Sequence, residues 1–172
     1  NGKLDIEFKF AAKDLAGTDL VVTEKLYKVK GDENKLLTVH EDLNDMEQTV
    51  CIPSLKTTAT DKADGNKNVI ASGKQTIVDK VEYTNLYPGK SYTVKGTLMN
   101  KNTGKPVLDN GKEVTAEKTF KAESANGFVE LEFTFNASAL KGETTVVFED
   151  LYENKVIVGT HADIKDKDQT VF

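Results

Sequence analysis

Ile77-Val-Asp79-Lys-Val81-Glu-Tyr83 alternates with period two: Ile77, Val81 and Tyr83 share one parity, Lys80 and Glu82 the other. Alternate side chains of a strand face opposite sides, so the segment reads as a β-strand with one solvated face and one buried face. The same alternation recurs from Ser91 to Leu98, from Val129 to Phe135 and from Thr144 to Leu151. Turn signals stand between the runs: Tyr87-Pro-Gly89, Asn102-Thr-Gly104 and Asp109-Asn-Gly111. No amphipathic pattern longer than a turn or two of helix interrupts them. Many short strands with one apolar face predict an all-β, two-sheet sandwich rather than a parallel α/β sheet.

Outward from this strand the chain repeats itself. Lys3-Leu-Asp-Ile-Glu-Phe-Lys-Phe10 matches Phe128-Val-Glu-Leu-Glu-Phe-Thr-Phe135 at an offset of 125, and Leu20-Val-Val-Thr-Glu-Lys-Leu-Tyr27 matches Thr145-Val-Val-Phe-Glu-Asp-Leu-Tyr152 at the same offset. After a connector four residues shorter in the second copy, His40-Glu-Asp-Leu-Asn-Asp-Met-Glu-Gln-Thr-Val50 matches His161-Ala-Asp-Ile-Lys-Asp-Lys-Asp-Gln-Thr-Val171 at an offset of 121. Such a repeat predicts tandem modules. Residues 1–52 are the C-terminal portion of a truncated one and residues 53–172 a whole one, with Pro53 at the boundary. In the partial module Leu4, Ile6, Phe8 and Phe10 would lack the strands that cover them, so a complementary half-module segment supplied in trans, bonded at Gln48, is expected.

Composition narrows the function. The 172 residues carry a net charge of -5, and all 23 basic residues are Lys. Lys and Asp/Glu are interspersed throughout, with no Arg to read phosphate or base edges, which argues against a nucleic-acid partner. No apolar stretch is long enough to span a membrane, and no charged-then-apolar leader opens the chain. The single cysteine, Cys51, allows no internal disulfide and no CxxC metal spacing, and reads as a small apolar residue in a connector. No metal or other cofactor is expected.

Parity also turns polar residues inward. Thr57 falls with Leu55 and Ala59, opposite Lys56, Thr58 and Thr60; Asp79 falls between Ile77 and Val81. Glu149 aligns with Val147 and Leu151, although Val146 and Phe148 make its other face apolar too. Gln169 shares parity with Val171 and, for an unbroken strand, with His161; in the first copy Gln48 shares it with Met46 and Val50. Buried polar groups without partners cost about 1–3 kcal/mol each, so these side chains should meet one another. On the residues alone the set is either a satisfied hydrogen-bond network locking two sheets or a reactive cluster.

Thr57-Thr-Ala-Thr-Asp61, Ile77-Val-Asp79, Asn85-Leu-Tyr-Pro-Gly89, Gly96-Thr-Leu-Met99, Val146-Val-Phe-Glu149, His161-Ala-Asp163 and Gln169-Thr-Val171 follow one another in an order that resembles the Thr-Gln ester-bond domains (VaFE repeats) of Gram-positive surface adhesins. The resemblance implies immunoglobulin-like stalk modules on the cell-wall-anchored, extracellular face of the bacterium, with neighbouring modules of the same adhesin as partners. It makes Thr57 the nucleophile and Gln169 the electrophile of an intramolecular ester formed with loss of ammonia, assisted by Glu149, His161 and Asp79. Each molecule would react once, so this is autocatalysis and not enzyme turnover. Glu24, His40 and Gln48 hold the matching positions in the first module, which departs in having Thr23 where the second has Phe148.

The chemistry needs a base near the hydroxyl, a donor for the oxyanion and a proton for the departing ammonia. His161 is the expected base, and a close Asp79–Glu149 pair should keep one carboxyl protonated to donate to the Gln169 carbonyl. Three other readings compete: a ligand-binding sandwich, an isopeptide-type domain, and a hydrolase using Thr57, His161 and Glu149. The inward Thr and Gln, with no inward Lys, speak against the isopeptide. Asp61-Lys-Ala-Asp-Gly65 and Asp163-Ile-Lys-Asp166 read as turns rather than metal loops.

Overall fold

A computed structural model describes residues 2–172, and they form two compact units, residues 1–52 and 53–172. The first contains strands β1 (Asp19–Val21), β2 (Glu24–Lys30), β3 (Glu33–His40) and β4 (Thr49–Cys51). The second contains β5 (Ser54–Asp61), β6 (Lys74–Thr84), β7 (Ser91–Asn100), β8 (Lys105–Pro106), β9 (Leu108–Asp109), β10 (Lys112–Glu113), β11 (Thr115–Lys121), β12 (Gly127–Asn136), β13 (Thr145–Glu153), β14 (Val156–His161) and β15 (Thr170–Val171). The only helical turns among the described residues are the 3-10 segments Lys13–Leu15 and Ala137–Leu140.

The second unit is all antiparallel. One sheet runs β12-β6-β5; the other runs β11-β7-β13-β14, with β15 also on β13 and β8 on β7. The alternation read in β6 is observed residue by residue: Ile77, Asp79, Val81 and Tyr83 are buried while the residues between them are half-buried. Val129, Leu131, Phe133 and Phe135 of β12 and Tyr92, Val94 and Leu98 of β7 complete the core with Val147 and Leu151 of β13. A Cβ on Gly96 would stand 2.5 Å from Phe133 Cζ and 2.9 Å from Leu131 Cδ1, so a bare backbone there lets the two sheets close over Phe133. The Asp109-Asn-Gly111 signal becomes the tight β9–β10 hairpin, with Asn110 and Gly111 both in the left-handed region.

Two details depart from the sequence reading. The last strand is not continuous: β14 ends at His161, a turn follows, and β15 begins at Thr170, both pieces pairing with β13. Gln169 therefore lies in the turn before β15, where parity with His161 has no meaning. Cys51 belongs to a strand, β4, and not to a connector.

The first unit repeats the C-terminal pairings of the second with the same register. Glu24 faces His40 across β2–β3 as Glu149 faces His161 across β13–β14, and the irregularity after Leu26 corresponds to that after Leu151. Val21 faces Thr49 as Val146 faces Thr170. The segment 3–10 forms no strand although its counterpart is β12, because a ladder needs a neighbour and none lies beside it among the described residues. Leu4, Ile6, Phe8 and Phe10 are correspondingly 83%, 59%, 57% and 53% exposed. Met46 is exposed as well, since residues 42–48 form a turn and not the strand that parity assumed.

Candidate functional site: a buried hydroxyl, carboxamide and carboxyl pair

Four polar side chains predicted to face inward meet in the core of the second unit. Thr57, Asp79, Glu149 and Gln169 are each 1% exposed or less. Thr57 comes from β5, the edge of one sheet; Asp79 from its neighbour β6, opposite Ala59; Glu149 from β13 of the other sheet, opposite Gly96. Thr58 is turned outward and only half-buried, which leaves Thr57 as the hydroxyl in the cluster.

The Thr57 hydroxyl is in direct contact with the Gln169 carboxamide. The amide can be read in two orientations. In one, Nε2 points at Asp79 Oδ1 at 3.4 Å, a long contact. In the other, Nε2 donates to the Val147 carbonyl and to Glu149 Oε1, both at 3.1 Å, and Oε1 accepts from Thr57. The second satisfies donor and acceptor together and is the one adopted here. Glu149 then bridges the reacting groups, its Oε2 lying 3.4 Å from Thr57 Oγ1 and its Oε1 accepting from the amide nitrogen. The Asp79 carboxyl lies beside the amide oxygen.

Two carboxyls buried side by side cannot both ionise cheaply. Burial first, and then the neighbouring charge of Asp79, push Glu149 up to about 10. Burial also raises Asp79, against the hydrogen bond it receives from Glu149. Asp79 Oδ2 has no donor among the surrounding groups, and a proton held jointly with Glu149 supplies one. One proton between the two is the state that burial and mutual repulsion favour for such a pair.

His161 stands next to Glu149 across β13–β14, but its Nε2 is hydrogen-bonded to Asp166 Oδ2 at 2.9 Å and it is not among the groups touching the Thr57 hydroxyl. Asp166 is the residue that sequence reasoning passed over as part of a turn. Its Oδ1 accepts the N–H of Asp168 at 2.7 Å and of Gln169 at 3.3 Å, and its carbonyl accepts the Thr170 hydroxyl. Burial would raise the Asp166 carboxyl, but those N–H groups and the His161 ring hold it below its ordinary value. The repeat carried a signal for it: Asp45 stands at the matching position and pairs with His40 at 2.8 Å.

In the first unit Glu24 and His40 lie 3.7 Å apart and the Gln48 carbonyl accepts from Val22 N, as Gln169 does from Val147 N. Neither a Thr nor an Asp equivalent to Thr57 or Asp79 stands with them. No group of three or more potential metal ligands occurs among the described residues.

The fold and these buried groups define a class of protein: a β-sandwich whose first strand and closing turn present a hydroxyl and a carboxamide to one another over a buried carboxyl pair. The chain belongs to the family of T-Q ester bond containing domains, whose model matches residues 1–52 and again 53–172. Among solved structures it is similar to a bacterial adhesin from Mobiluncus mulieris containing intramolecular disulfide, isopeptide and ester bond cross-links. Two crystal forms match with TM-scores of 0.57 and 0.58 at 20% and 19% identity, covering 69% of this chain and 56% of that one. At that identity the likeness establishes the shared all-β fold, and this chain spans little more than half the adhesin's length. No curated protein matches.

Proposed function

We propose that residues 53–172 are a structural module of a cell-wall-anchored bacterial surface adhesin, closed by an ester between Thr57 and Gln169. The observation that carries this reading is the contact of the Thr57 hydroxyl with the Gln169 carboxamide inside the buried core. The Thr57 oxygen attacks Gln169 Cδ, the C–N bond breaks, and ammonia leaves with the hydroxyl proton. Glu149 is the group that touches both the oxygen losing a proton and the nitrogen gaining one. It takes the Thr57 proton as its own passes to Asp79, which donates to the developing oxyanion, and the proton then returns to the nitrogen. His161, held by Asp166, stands against the pair from the neighbouring strand. Burial is part of the mechanism, because water would otherwise compete for the acyl group.

The bond joins the first strand to the last segment of the unit. Force applied at Pro53 and Phe172 would run through the ester and bypass the sheets, which suits a stalk exposed to shear and proteases outside the cell. Residues 1–52 correspond to the C-terminal portion of a second such module, in which a segment bearing a Thr and an Asp would complete the set of Glu24, His40 and Gln48.

Intact mass spectrometry tests the reading. The chain should be one ammonia lighter than its sequence mass, and hydroxylamine treatment of the unfolded chain should open the link. A deficit that persists in Thr57→Ala would overturn the nucleophile, and one that persists in Glu149→Gln would overturn the proton relay.

A further inference from the structure

Lys67 takes no part in the chemistry above, yet its ammonium sits at the mouth of the site. It lies in the loop between β5 and β6, half-buried, and its Nζ donates to the Ala59 carbonyl at 2.5 Å and to the Asp168 carbonyl. Ala59 is two residues beyond Thr57 on the same face of β5, and Asp168 immediately precedes Gln169. The same Asp168 carbonyl also accepts the Ala59 N–H at 3.0 Å. The loop is itself fastened to the chain end: Phe172 N donates to the Lys67 carbonyl and Val69 N to the Phe172 carbonyl, both at 2.7 Å. A cation thus bridges the strand that carries the nucleophile and the turn that carries the electrophile. The first unit has no counterpart of it.

We infer that Lys67 is a positioning residue for ester formation: its ammonium clamps the 168–169 turn onto β5, holding the Thr57 hydroxyl against the Gln169 carboxamide while its charge favours the singly ionised carboxyl pair. This rests on the ester reading above and adds a role outside the reacting groups. Burial lowers the Lys67 ammonium below its usual value, against the attraction of Asp168, Asp79 and Asp166, and its two bonds to backbone carbonyls are charge-assisted. In return its charge is among the influences that favour ionised Asp79. The charged groups that act on it are Asp168 and Asp166 in the turn and Asp79 on β6. Orientation of a reacting pair is worth orders of magnitude in rate, and looseness of an ångström is enough to lose much of it.

The test follows the reaction in time. Unreacted full-length chain, purified under denaturing conditions, is diluted into native buffers across a pH series, and ammonia loss is followed by intact mass. Lys67→Met should slow conversion about tenfold or more, as expected for losing charge-assisted hydrogen bonds at a reacting pair. It should also move the rising limb of the pH–rate profile to higher pH, because the carboxyl pair loses a neighbouring cation. Lys67→Arg should restore the profile and most of the rate. Lys67→Gln, which keeps a donor without the charge, is judged by the same readouts if the Met variant does not fold, with folding read by near-ultraviolet circular dichroism in a Thr57→Ala background. Wild-type conversion with unchanged rate and profile in a folded Met or Gln variant overturns the inference alone. A slower rate with an unshifted profile reduces Lys67 to a structural tie and also overturns it. Absence of conversion in the wild type would instead overturn the ester reading.

Discussion

Replacing Thr57 by Val removes the hydroxyl while keeping nearly the same volume in a site that is 1% exposed, so the chief loss is the covalent closure. The ester would close a loop of 112 residues, from 57 to 169. Treating it as a cross-link that restricts the unfolded chain gives a stabilisation of about 4.8 kcal/mol at room temperature. For a unit of about 120 residues, whose unfolding entropy is roughly 2.1 cal/mol/K per residue, that is a fall in Tm on the order of 20 °C. Guanidinium titration and calorimetry of wild type and Thr57→Val would measure it, alongside intact mass to establish that the wild type is linked. The m-value should rise in the variant, because its denatured state is free to expand. A linked wild type that exceeds the variant by less than about 2 kcal/mol, with equal m-values, would refute loop closure as the source of stability.

Further outcomes follow from individual residues. Glu149 is raised to about 10 in the folded state from an ordinary 4.5, so the unfolded chain sheds that proton first as pH rises. The stabilising proton is fully in place below the ordinary value and lost toward the folded one, and unlinked Thr57→Ala should lose stability by at most about 1.4 kcal/mol per pH unit between these values. Denaturation of Thr57→Ala at several pH values should show this decline, and adding Glu149→Gln should flatten it. Gly96→Ala drives a methyl into Phe133 and Leu131 and should cost about 1–3 kcal/mol in chemical denaturation of the unlinked form. Asp166→Asn weakens the hold on His161 and on the N–H groups of Asp168 and Gln169, and should slow ammonia loss about tenfold without abolishing it, read by timed intact mass.

Much of the site was legible in residue order alone. Thr57, Asp79 and Glu149 sit within strands, where a two-residue period fixes which side a group faces, and all three are buried as parity required. Gln169 was placed inward by the same rule, but for another reason: it lies in a turn, and Asp166 rather than strand pleating orients its backbone. Asp166 escaped a period-based reading because a turn has no fixed parity, and that same turn breaks the parity assumed between His161 and Gln169. Lys67 escaped it because a cation reaching backbone carbonyls from a loop leaves no pattern at all. The first unit shows the opposite limit, with an alternating run at 3–10 that forms no strand where no neighbour is present.

Alternation, turn residues and an internal repeat determined by themselves that this chain is all-β, modular, and carries polar groups on its inner faces, because these properties are local and each residue expresses them wherever the chain goes. Only the tertiary structure decided that groups 92 and 90 residues apart, Thr57 with Glu149 and Asp79 with Gln169, lie within reach of one another. It also decided that the two carboxyls are desolvated side by side, which raises both. Contact and desolvation are properties of the packed core, and no segment has them before the two sheets close.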